Sequence, residues 1–356
     1  MADSDNRWKI VAAVAIVMLL AVSALYAFGN SNDSRTGYVQ TDMSYWVEDS
    51  DSKESLMTYL KAVTDERSGD YIPPEDRVAV FDLDGTLICE RDPHYFDLCL
   101  FLYRVLEDPD YKDKASDLER KVALDQKDYP GPGKLDDDME KARALAFKGM
   151  TIEEFNAYEK AFMETQMPSY EGMTYGESFF RPMIQVVDAL QANGFSVYIV
   201  SGTDRLTVRC LVDGSMLNIP TDHIIGSSKL LVATGQGDTD GSKYVFTADD
   251  DIIYGGEHIL KDLNVNKVIT IIEEIGKKPV LSFGNTSSDS SMALYTTTDN
   301  MYRSEAYMLC CDDLDRENGD LEAASKMYAL CEEQEWVPVS MKNDWTTIYG
   351  DSVKKK

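Results

Sequence analysis

Asp82 and Asp84 are the side chains of this sequence best placed to do chemistry, because they end an apolar run one residue apart. The run 78–81 (Val-Ala-Val-Phe) is short and β-branched, which predicts a buried strand. Open α/β sheets bind ligands beyond the carboxyl ends of their strands, so we expect both carboxylates to face a ligand crevice. A Gly-Thr turn ending at Thr86 follows. The alternative interpretation is an aspartate-rich turn without a catalytic role.

A second strand is predicted over 195–200, and it ends at Ser201-Gly202-Thr203. A hydroxyl at a strand end can hold a phosphate oxygen when the following glycine lets the backbone N–H approach closely. Ser201 and Gly202 are therefore candidate phosphate-binding residues. A Ser-Gly-Thr turn alone is a weak signal, but its position after the first strand supports this function.

Further along the chain we expect a helix over 266–275, ended by Gly276, and then a strand over 279–283. That strand is followed by Gly-Asn-Thr-Ser-Ser-Asp, which places Asn285 and Asp289 four residues apart. In a doubly wound sheet, all these strand ends would meet at one edge.

Together these segments resemble the haloacid dehalogenase-like hydrolases over roughly residues 75–312, beginning with the Asp-x-Asp-Gly-Thr of residues 82–86. The resemblance implies that Asp82 attacks phosphorus, and that Asp84 protonates the leaving oxygen and later activates water. It also implies that Thr86 and Ser201 contact the phosphate.

A lysine on a helix before the last catalytic strand is a further feature of this family, and Lys267 has that position. The resemblance implies that its ammonium neutralises the aspartate and phosphate charges. Lys261 and Lys229 are the rival candidates, and a solvated surface lysine is the remaining alternative.

The family's last motif normally begins with Gly-Asp, whereas this sequence has Asn285 in place of the aspartate. By resemblance, Mg²⁺ would be held by the Asp82 carboxylate, the Asp84 backbone carbonyl, Asp289 and Asn285. An amide oxygen can bind Mg²⁺ but supplies no charge, so we expect weaker binding or a direct role for Asp289. An Asn-capped turn without a metal is the alternative.

About a hundred residues of helical character separate the first two predicted strands, which is too much for a simple crossover. Thr151 to Glu154 forms a capping box that opens one of these helices. The placement is similar to the cap of the phosphoserine phosphatase-like branch. We therefore expect an α/β fold with a doubly wound, mostly parallel, Rossmann-like sheet: a catalytic core at 52–87 and 179–356, and an inserted helical cap at 88–178.

Glu90, at the entrance to the predicted cap, is the candidate for binding the substrate. In phosphoserine phosphatase-like proteins an acidic residue near this point binds an amino group. Tyr95 and Phe96 follow it, and aromatic faces also favour quaternary ammonium groups, so a phosphorylated amine is a reasonable substrate. Alternatively, these aromatic residues belong to the core of the cap.

The apolar run 10–28 is long enough to cross a bilayer. Arg7 and Lys9 precede it and a polar linker, 29–51, follows, so residues 1–9 are expected to stay in the cytoplasm. The catalytic domain would then be membrane-anchored and extracytoplasmic. If the run is instead a cleaved signal peptide, the protein would be secreted.

Composition narrows the class of partner, since the 356 residues include 35 Lys and Arg against 63 Asp and Glu, a net charge of -28. Such a surface repels phosphate backbones, so nucleic acid is not an expected partner.

The six cysteines lack the paired spacing of a metal site and are expected to be buried free thiols. The lysines at 354–356 are expected to be a solvated end.

Phosphoryl transfer needs a nucleophile, a proton donor and cationic groups, and these residues supply all three. We therefore expect a Mg²⁺-dependent phosphatase that hydrolyses a small phosphorylated metabolite through an aspartyl-phosphate. A phosphotransferase is one alternative. A membrane-tethered binding protein that keeps the fold without turnover is another, motivated by Asn285. Oligomeric state is not predictable from the sequence.

Overall fold

The computed structural model describes residues 37–128 and 137–356. Its main feature is a seven-stranded sheet in the order β5-β4-β3-β1-β6-β7-β8, in which only the β4–β5 pair is antiparallel. The strands of this sheet are β1 Val78–Phe81, β3 Ser196–Asp204, β4 Ile224–Ala233, β5 Ile252–Leu260, β6 Leu281–Gly284, β7 Glu305–Cys310 and β8 Val337–Ser340. The predicted α/β fold with a mostly parallel sheet is confirmed.

Ten α-helices lie among the described residues. They are α1 Asp51–Thr64, α2 Phe96–Leu102, α3 Asp117–Lys127, α4 Asp137–Leu145, α5 Ile152–Met163, α6 Arg181–Ala192, α7 Arg205–Val212, α8 Val265–Thr270, α9 Ser290–Thr297 and α10 Leu321–Gln334. A second, two-stranded sheet pairs β2 Tyr170–Glu171 with β9 Lys354–Lys355. Lys354 and Lys356 are exposed, as expected of a solvated end, but the backbone of this segment forms a strand and Lys355 is partly buried.

Strand β1 is the centre of the large sheet, and its four residues are all buried. Such a strand is covered on both faces, so it consists of continuous rather than alternating apolar residues. The rings of Phe81 and its β6 neighbour Phe283 stack with centroids 4.2 Å apart.

The order of the strands reverses around β1. The chain runs from β1 to β3, β4 and β5 on one side, and then returns to β6, β7 and β8 on the other. This reversal is a topological switch point, where the loops after neighbouring strands diverge and leave a crevice. The segments after β1, β3 and β6 therefore meet at one edge.

Helices α2 to α5, which we call the helical insert, lie between β1 and β3 in the chain. Thr151 and Glu154 form the predicted capping box at the start of α5. The insert is joined to β5 through backbone hydrogen bonds, from Gly149 N to Tyr254 O (2.8 Å) and from Tyr254 N to Met150 O (2.9 Å). The exact limits of a core and a cap stay predictions.

Two expectations concern the ends and the thiols of the chain. The predicted membrane segment at 10–28 lies outside the described residues, and within 37–128 and 137–356 no helix has the length and apolarity to span a bilayer. All six cysteines are free, which confirms the prediction of free thiols. Five of them are buried, as predicted, whereas Cys311 is partly exposed.

Candidate active site

Asp82 is the first residue after β1, and its backbone N–H donates to Phe283 O of β6 at 2.9 Å. The chain then turns sharply, with Gly85 at a φ of 79°. A β-carbon at Gly85 would lie 2.1 Å from the Asn285 amide nitrogen, so this position requires glycine. The turn thus brings the loops after β1 and β6 into contact.

Lys267 lies on α8 and is fully buried between two carboxylates. Its Nζ donates to Asp82 Oδ1 at 2.6 Å and to Asp289 Oδ1 at 2.7 Å. The two other candidate lysines have different partners. Lys261 pairs with Glu140 at 3.2 Å, and Lys229 lies 3.8 Å from Asp204.

The charges of Asp82, Lys267 and Asp289 affect one another's pKa values. Burial raises the pKa of Asp82 to about 7, and repulsion from Asp289 contributes, while Lys267 opposes the shift. Burial alone would lower the pKa of Lys267, but the carboxylates of Asp289 and Asp82 outweigh it and raise that pKa. Lys267 is therefore a permanent cation beside Asp82.

Asp84 has two oxygens in different surroundings. Its Oδ2 accepts a hydrogen bond from Thr203 Oγ1 at 2.8 Å. Its Oδ1 is buried, with no hydrogen-bond partner among the residues that the structure describes. Burial raises the pKa of Asp84 well above its usual range, the Asp82 and Asp97 charges raise it further, and the Thr203 hydrogen bond opposes this. Asp84 can therefore hold a proton near neutral pH.

Ser201 and Thr203 lie near the end of β3, and Gly202 and Thr203, rather than Ser201, line the cavity over the two aspartates. Ser201 is fully buried, and its Oγ accepts the backbone N–H of Thr203 at 3.1 Å. Sequence reasoning missed Thr203, although it is the third residue of the Ser-Gly-Thr turn. Spacing along the strand could not identify it, because β3 is irregular between Ser201 and Asp204 and the regular alternation of side chains is broken there.

Asp289 lies at the end of the loop after β6, and protein donors occupy both of its oxygens. Oδ1 faces Lys267, while Oδ2 accepts the backbone N–H groups of Asn285 (3.1 Å) and Thr286 (3.0 Å). Its direct role as a metal ligand stays a prediction. The Asn285 side chain lies against the Gly85 turn, where Thr86 Oγ1 donates to its Oδ1 at a long 3.4 Å.

A cation would find oxygen donors here in Asp82 Oδ2, which is not bound to Lys267, and in the Asn285 amide. The Asp84 carbonyl is a further donor that the family resemblance implies. Within the described ranges, no three His, Cys, Asp or Glu side chains are grouped as a metal site. Mg²⁺ does not need such a cage, because it is commonly held by one or two carboxylates, waters and substrate phosphate. The donor set therefore fits Mg²⁺.

A cavity of about 340 Å³ opens over the two aspartates. Its outer wall comes from the helical insert and from the loop after β5, with Tyr95, Asp97, Met139, Arg143, Lys261 and Leu263. Asp97 pairs with Arg143 at 2.8 Å. Although burial alone would raise the pKa of Asp97, Arg143 and two lysines lower it overall, so Asp97 stays ionised in its pair with Arg143.

Glu90 was the sequence's candidate for binding the substrate. In the structure its Oε1 accepts a hydrogen bond from Tyr95 at 2.9 Å, and its Oε2 lies 3.3 Å from Arg91. Phe96 packs within the insert, 5.9 Å from Phe162 between ring centroids, and Tyr95 alone of the two aromatic residues lines the cavity.

Comparison with solved structures gives distant likenesses. A conserved protein of unknown function from Anaerococcus prevotii is 13% identical, with a TM-score of 0.48 over 81% of this chain and 92% of that one. A phosphoserine phosphohydrolase-like protein from Francisella tularensis is 15% identical, with a TM-score of 0.36 over 65% and 87%. Cytosolic 5'-nucleotidase IIIB bound to cytidine is 13% identical, with a TM-score of 0.41 over 72% and 77%. All these scores are below 0.5, which is too low to support an inference about activity.

No curated protein matches the sequence significantly. Residues 79–251 match the family model described as haloacid dehalogenase-like hydrolase. This match contains Asp82, Asp84 and Thr203, whereas Lys267 and Asp289 lie beyond it and are brought to the site by the fold. Residues 79–251 thus match the family that the motifs of this sequence resemble.

Proposed function

We propose that this hydrolase is a Mg²⁺-dependent phosphatase that cleaves a small phosphomonoester through an aspartyl-phosphate on Asp82. The observation that carries the proposal is the pairing of Asp82 with the buried Lys267 at 2.6 Å, beside a second aspartate that can hold a proton. The two carboxylates therefore have different roles, although they are only two positions apart. Asp82, paired with Lys267, is the nucleophile, and Asp84 is the acid.

In the first step the Asp82 carboxylate attacks phosphorus. Lys267 neutralises charge on the nucleophile and on the phosphoryl oxygens. Asp84 Oδ1 gives its proton to the leaving oxygen, so the substrate departs as an alcohol. In the second step Asp84 accepts a proton from water, whose oxygen attacks phosphorus and releases Asp82.

The residues that would hold Mg²⁺ are Asp82 through its carboxylate, Asp84 through its carbonyl, Asn285 through its amide, and Asp289. When bound, the ion would supply positive charge that stabilises the transferring phosphoryl group. Because Asn285 is neutral where the family has an aspartate, we expect this chain to need a higher Mg²⁺ concentration than a site with the usual acid.

The cavity suggests the size and the character of the substrate. Its volume of about 340 Å³ suits a small phosphorylated metabolite. Tyr95 on its wall supports an amine-bearing substrate through its aromatic face, whereas the Asp97 carboxylate is already paired with Arg143. Glu90 supports this only indirectly, through its hydrogen bond with Tyr95.

We also propose a location from residues 10–28, which form an apolar run preceded by two basic residues. The run would anchor the catalytic domain outside the cytoplasm, or would be removed as a signal peptide. Fractionation of cells expressing the full chain, followed by protease protection, distinguishes these outcomes. A protein found entirely in the cytosolic fraction would contradict both.

Phosphate release from p-nitrophenyl phosphate tests the proposed activity. We expect turnover that EDTA abolishes and Mg²⁺ restores, and we expect Asp82→Asn to lose at least about a thousandfold in kcat. Glycerol added as an acceptor would reveal phosphotransfer as glycerol phosphate. Absence of metal-dependent turnover in the wild type would favour a binding protein and overturn the proposal.

A further inference from the structure

The Asp84 carboxylate is held through one oxygen only, and the group that holds it is a single threonine. Thr203 Oγ1 donates to Asp84 Oδ2 at 2.8 Å, across 119 positions of sequence. Both side chains are buried, and both residues line the cavity. Because the donor occupies Oδ2, the partnerless Oδ1 is the oxygen left for a substrate.

Thr203 reaches Asp84 because β3 is irregular at its end. Its register against β4 pairs Ser201 with Gly226 but Asp204 with Ser227, so Gly202 and Thr203 form a bulge. A bulge redirects side chains next to an active site. The Ser227 hydroxyl supports the bulge from β4 by donating to Gly202 O at 2.7 Å.

Gly226 of β4 leaves the space that the bulge needs. A β-carbon on Gly226 would lie 2.7 Å from Thr203 O and 3.2 Å from the Arg205 backbone. An alanine there would therefore push the Thr203 backbone and move its hydroxyl, without touching Asp84 itself.

We propose that Thr203 is the positioning residue for proton transfer by Asp84, and that it thereby sets how basic a leaving group the enzyme can expel. This inference rests on the proposed phosphatase activity. As the Asp82 oxygen–phosphorus bond forms, the bond from phosphorus to the leaving oxygen breaks, and the Oδ1 proton moves to that oxygen. Asp84 is left as a carboxylate whose Oδ2 still accepts the Thr203 hydroxyl.

The test compares two substrates of similar shape, p-nitrophenyl phosphate and phenyl phosphate. The nitrophenolate leaves without needing a proton, whereas the phenolate oxygen is more basic and requires an acid. In Thr203→Val, which replaces the hydroxyl by a methyl, we expect kcat/KM for phenyl phosphate to fall about thirtyfold or more, because kcat/KM reports the step in which the leaving group departs. We expect kcat/KM for p-nitrophenyl phosphate to fall less than about threefold.

Two further variants keep the test decisive if Thr203→Val folds poorly. Thr203→Ser retains the hydroxyl and should keep phenyl phosphate turnover near the wild-type level. Gly226→Ala should reproduce the selective loss by displacing the Thr203 backbone.

Thr64→Val is the matched control, because it deletes a buried threonine hydroxyl on α1 that donates to Leu60 O, away from the site. It should leave the ratio of the two rates unchanged.

The outcomes separate the inference from the function on which it rests. A wild type that hydrolyses neither substrate would overturn the phosphatase activity itself. If the wild type is active and Thr203→Val lowers kcat/KM equally for both substrates, the role of Thr203 is overturned while the activity stands.

Discussion

Lys267 is the residue on which the charge balance of the site depends. It is fully buried, and it is the cation shared by Asp82 and Asp289 at 2.6 and 2.7 Å. Removing one member of a buried ionic group leaves uncompensated charge, which costs far more than breaking a surface pair. Lys267 is thus required by the fold as well as by the proposed chemistry.

We predict that Lys267→Met lowers the free energy of unfolding by about 3 to 5 kcal/mol at pH 7, because two carboxylates stay buried without a cation. Urea unfolding followed by circular dichroism measures the change. Lys160→Met is the control, since it breaks an exposed pair with Asp213 at 2.8 Å and should cost less than about 1 kcal/mol. Equal losses in both variants would contradict the structural role of Lys267.

Glu159 on α5 is a buried acid outside the site, and neither of its carboxylate oxygens has a hydrogen-bond partner among the described residues. Burial raises the pKa of Glu159 well above its usual range, and the nearby Asp204 raises it further while Lys229 opposes. The folded-state pKa therefore exceeds the unfolded one. The stability that protonated Glu159 contributes is present below the unfolded pKa and is lost as the pH rises through the folded pKa.

We predict that Glu159→Gln, which cannot ionise, stabilises the protein by at least about 1 kcal/mol at pH 8, and that the gain disappears towards pH 4. Thermal or urea unfolding across this range measures it. The exposed Glu153 on the same helix provides the control Glu153→Gln, which should give no such pH-dependent difference. A Glu159→Gln gain that is constant with pH would contradict the titration of Glu159.

At the scale of elements, the chain's last strand ties two distant segments together. β9 pairs antiparallel with β2, and Lys356 N donates to Ser169 O at 2.9 Å. The Lys355 ammonium donates to Leu314 O (2.9 Å) and Glu317 O (2.6 Å) in the segment after β7. The carboxyl terminus thus connects that segment to the chain just after the helical insert.

We predict that deleting residues 354–356 speeds amide hydrogen exchange at Glu171, because Glu171 loses its pairing with Lys354. The amides of Ser169 and Tyr170 donate to Asp92 and Met167 and should change less. The strands of the large sheet should keep their protection. Exchange followed by mass spectrometry resolves the two regions. Lys355→Met keeps the backbone pairing while removing the ammonium, so it should retain most of the protection. Unchanged exchange after the deletion would show that β9 does not hold β2.

At the scale of the whole molecule, the net charge of -28 dominates. Self-repulsion of that size destabilises a compact chain, and dissolved salt screens it within about 10 Å at 0.1 M. The same charge disfavours binding to nucleic acid.

We predict that raising NaCl from about 10 to 200 mM increases the Tm by several degrees, because screening relieves this repulsion. Differential scanning fluorimetry measures the shift. Sucrose at matched osmolarity is the control for effects other than screening of charge. A Tm that falls with NaCl would mean that attractive ion pairs outweigh the net repulsion.

Local sequence was sufficient for several features of this protein. The apolar run 78–81 predicted β1, and the aspartates at 82 and 84 predicted the edge of the sheet at which the site lies. Both could be predicted because a buried strand and its end are recognisable from a few contiguous residues. The capping box at Thr151 and the helical character between β1 and β3 were also recognisable, since both depend on spacings of a few residues.

Only the tertiary structure decided which lysine meets Asp82 and how each carboxylate is used. Lys267 and Asp82 are 185 positions apart, and Thr203 and Asp84 are 119 apart, so no local pattern distinguishes these partners from their neighbours. The same holds for Asp289, whose oxygens are occupied by Lys267 and backbone groups, and for the pairing of β9 with β2. The physical reason is that burial and charge pairing depend on what surrounds a side chain in space, and strand order across the sheet determines those surroundings.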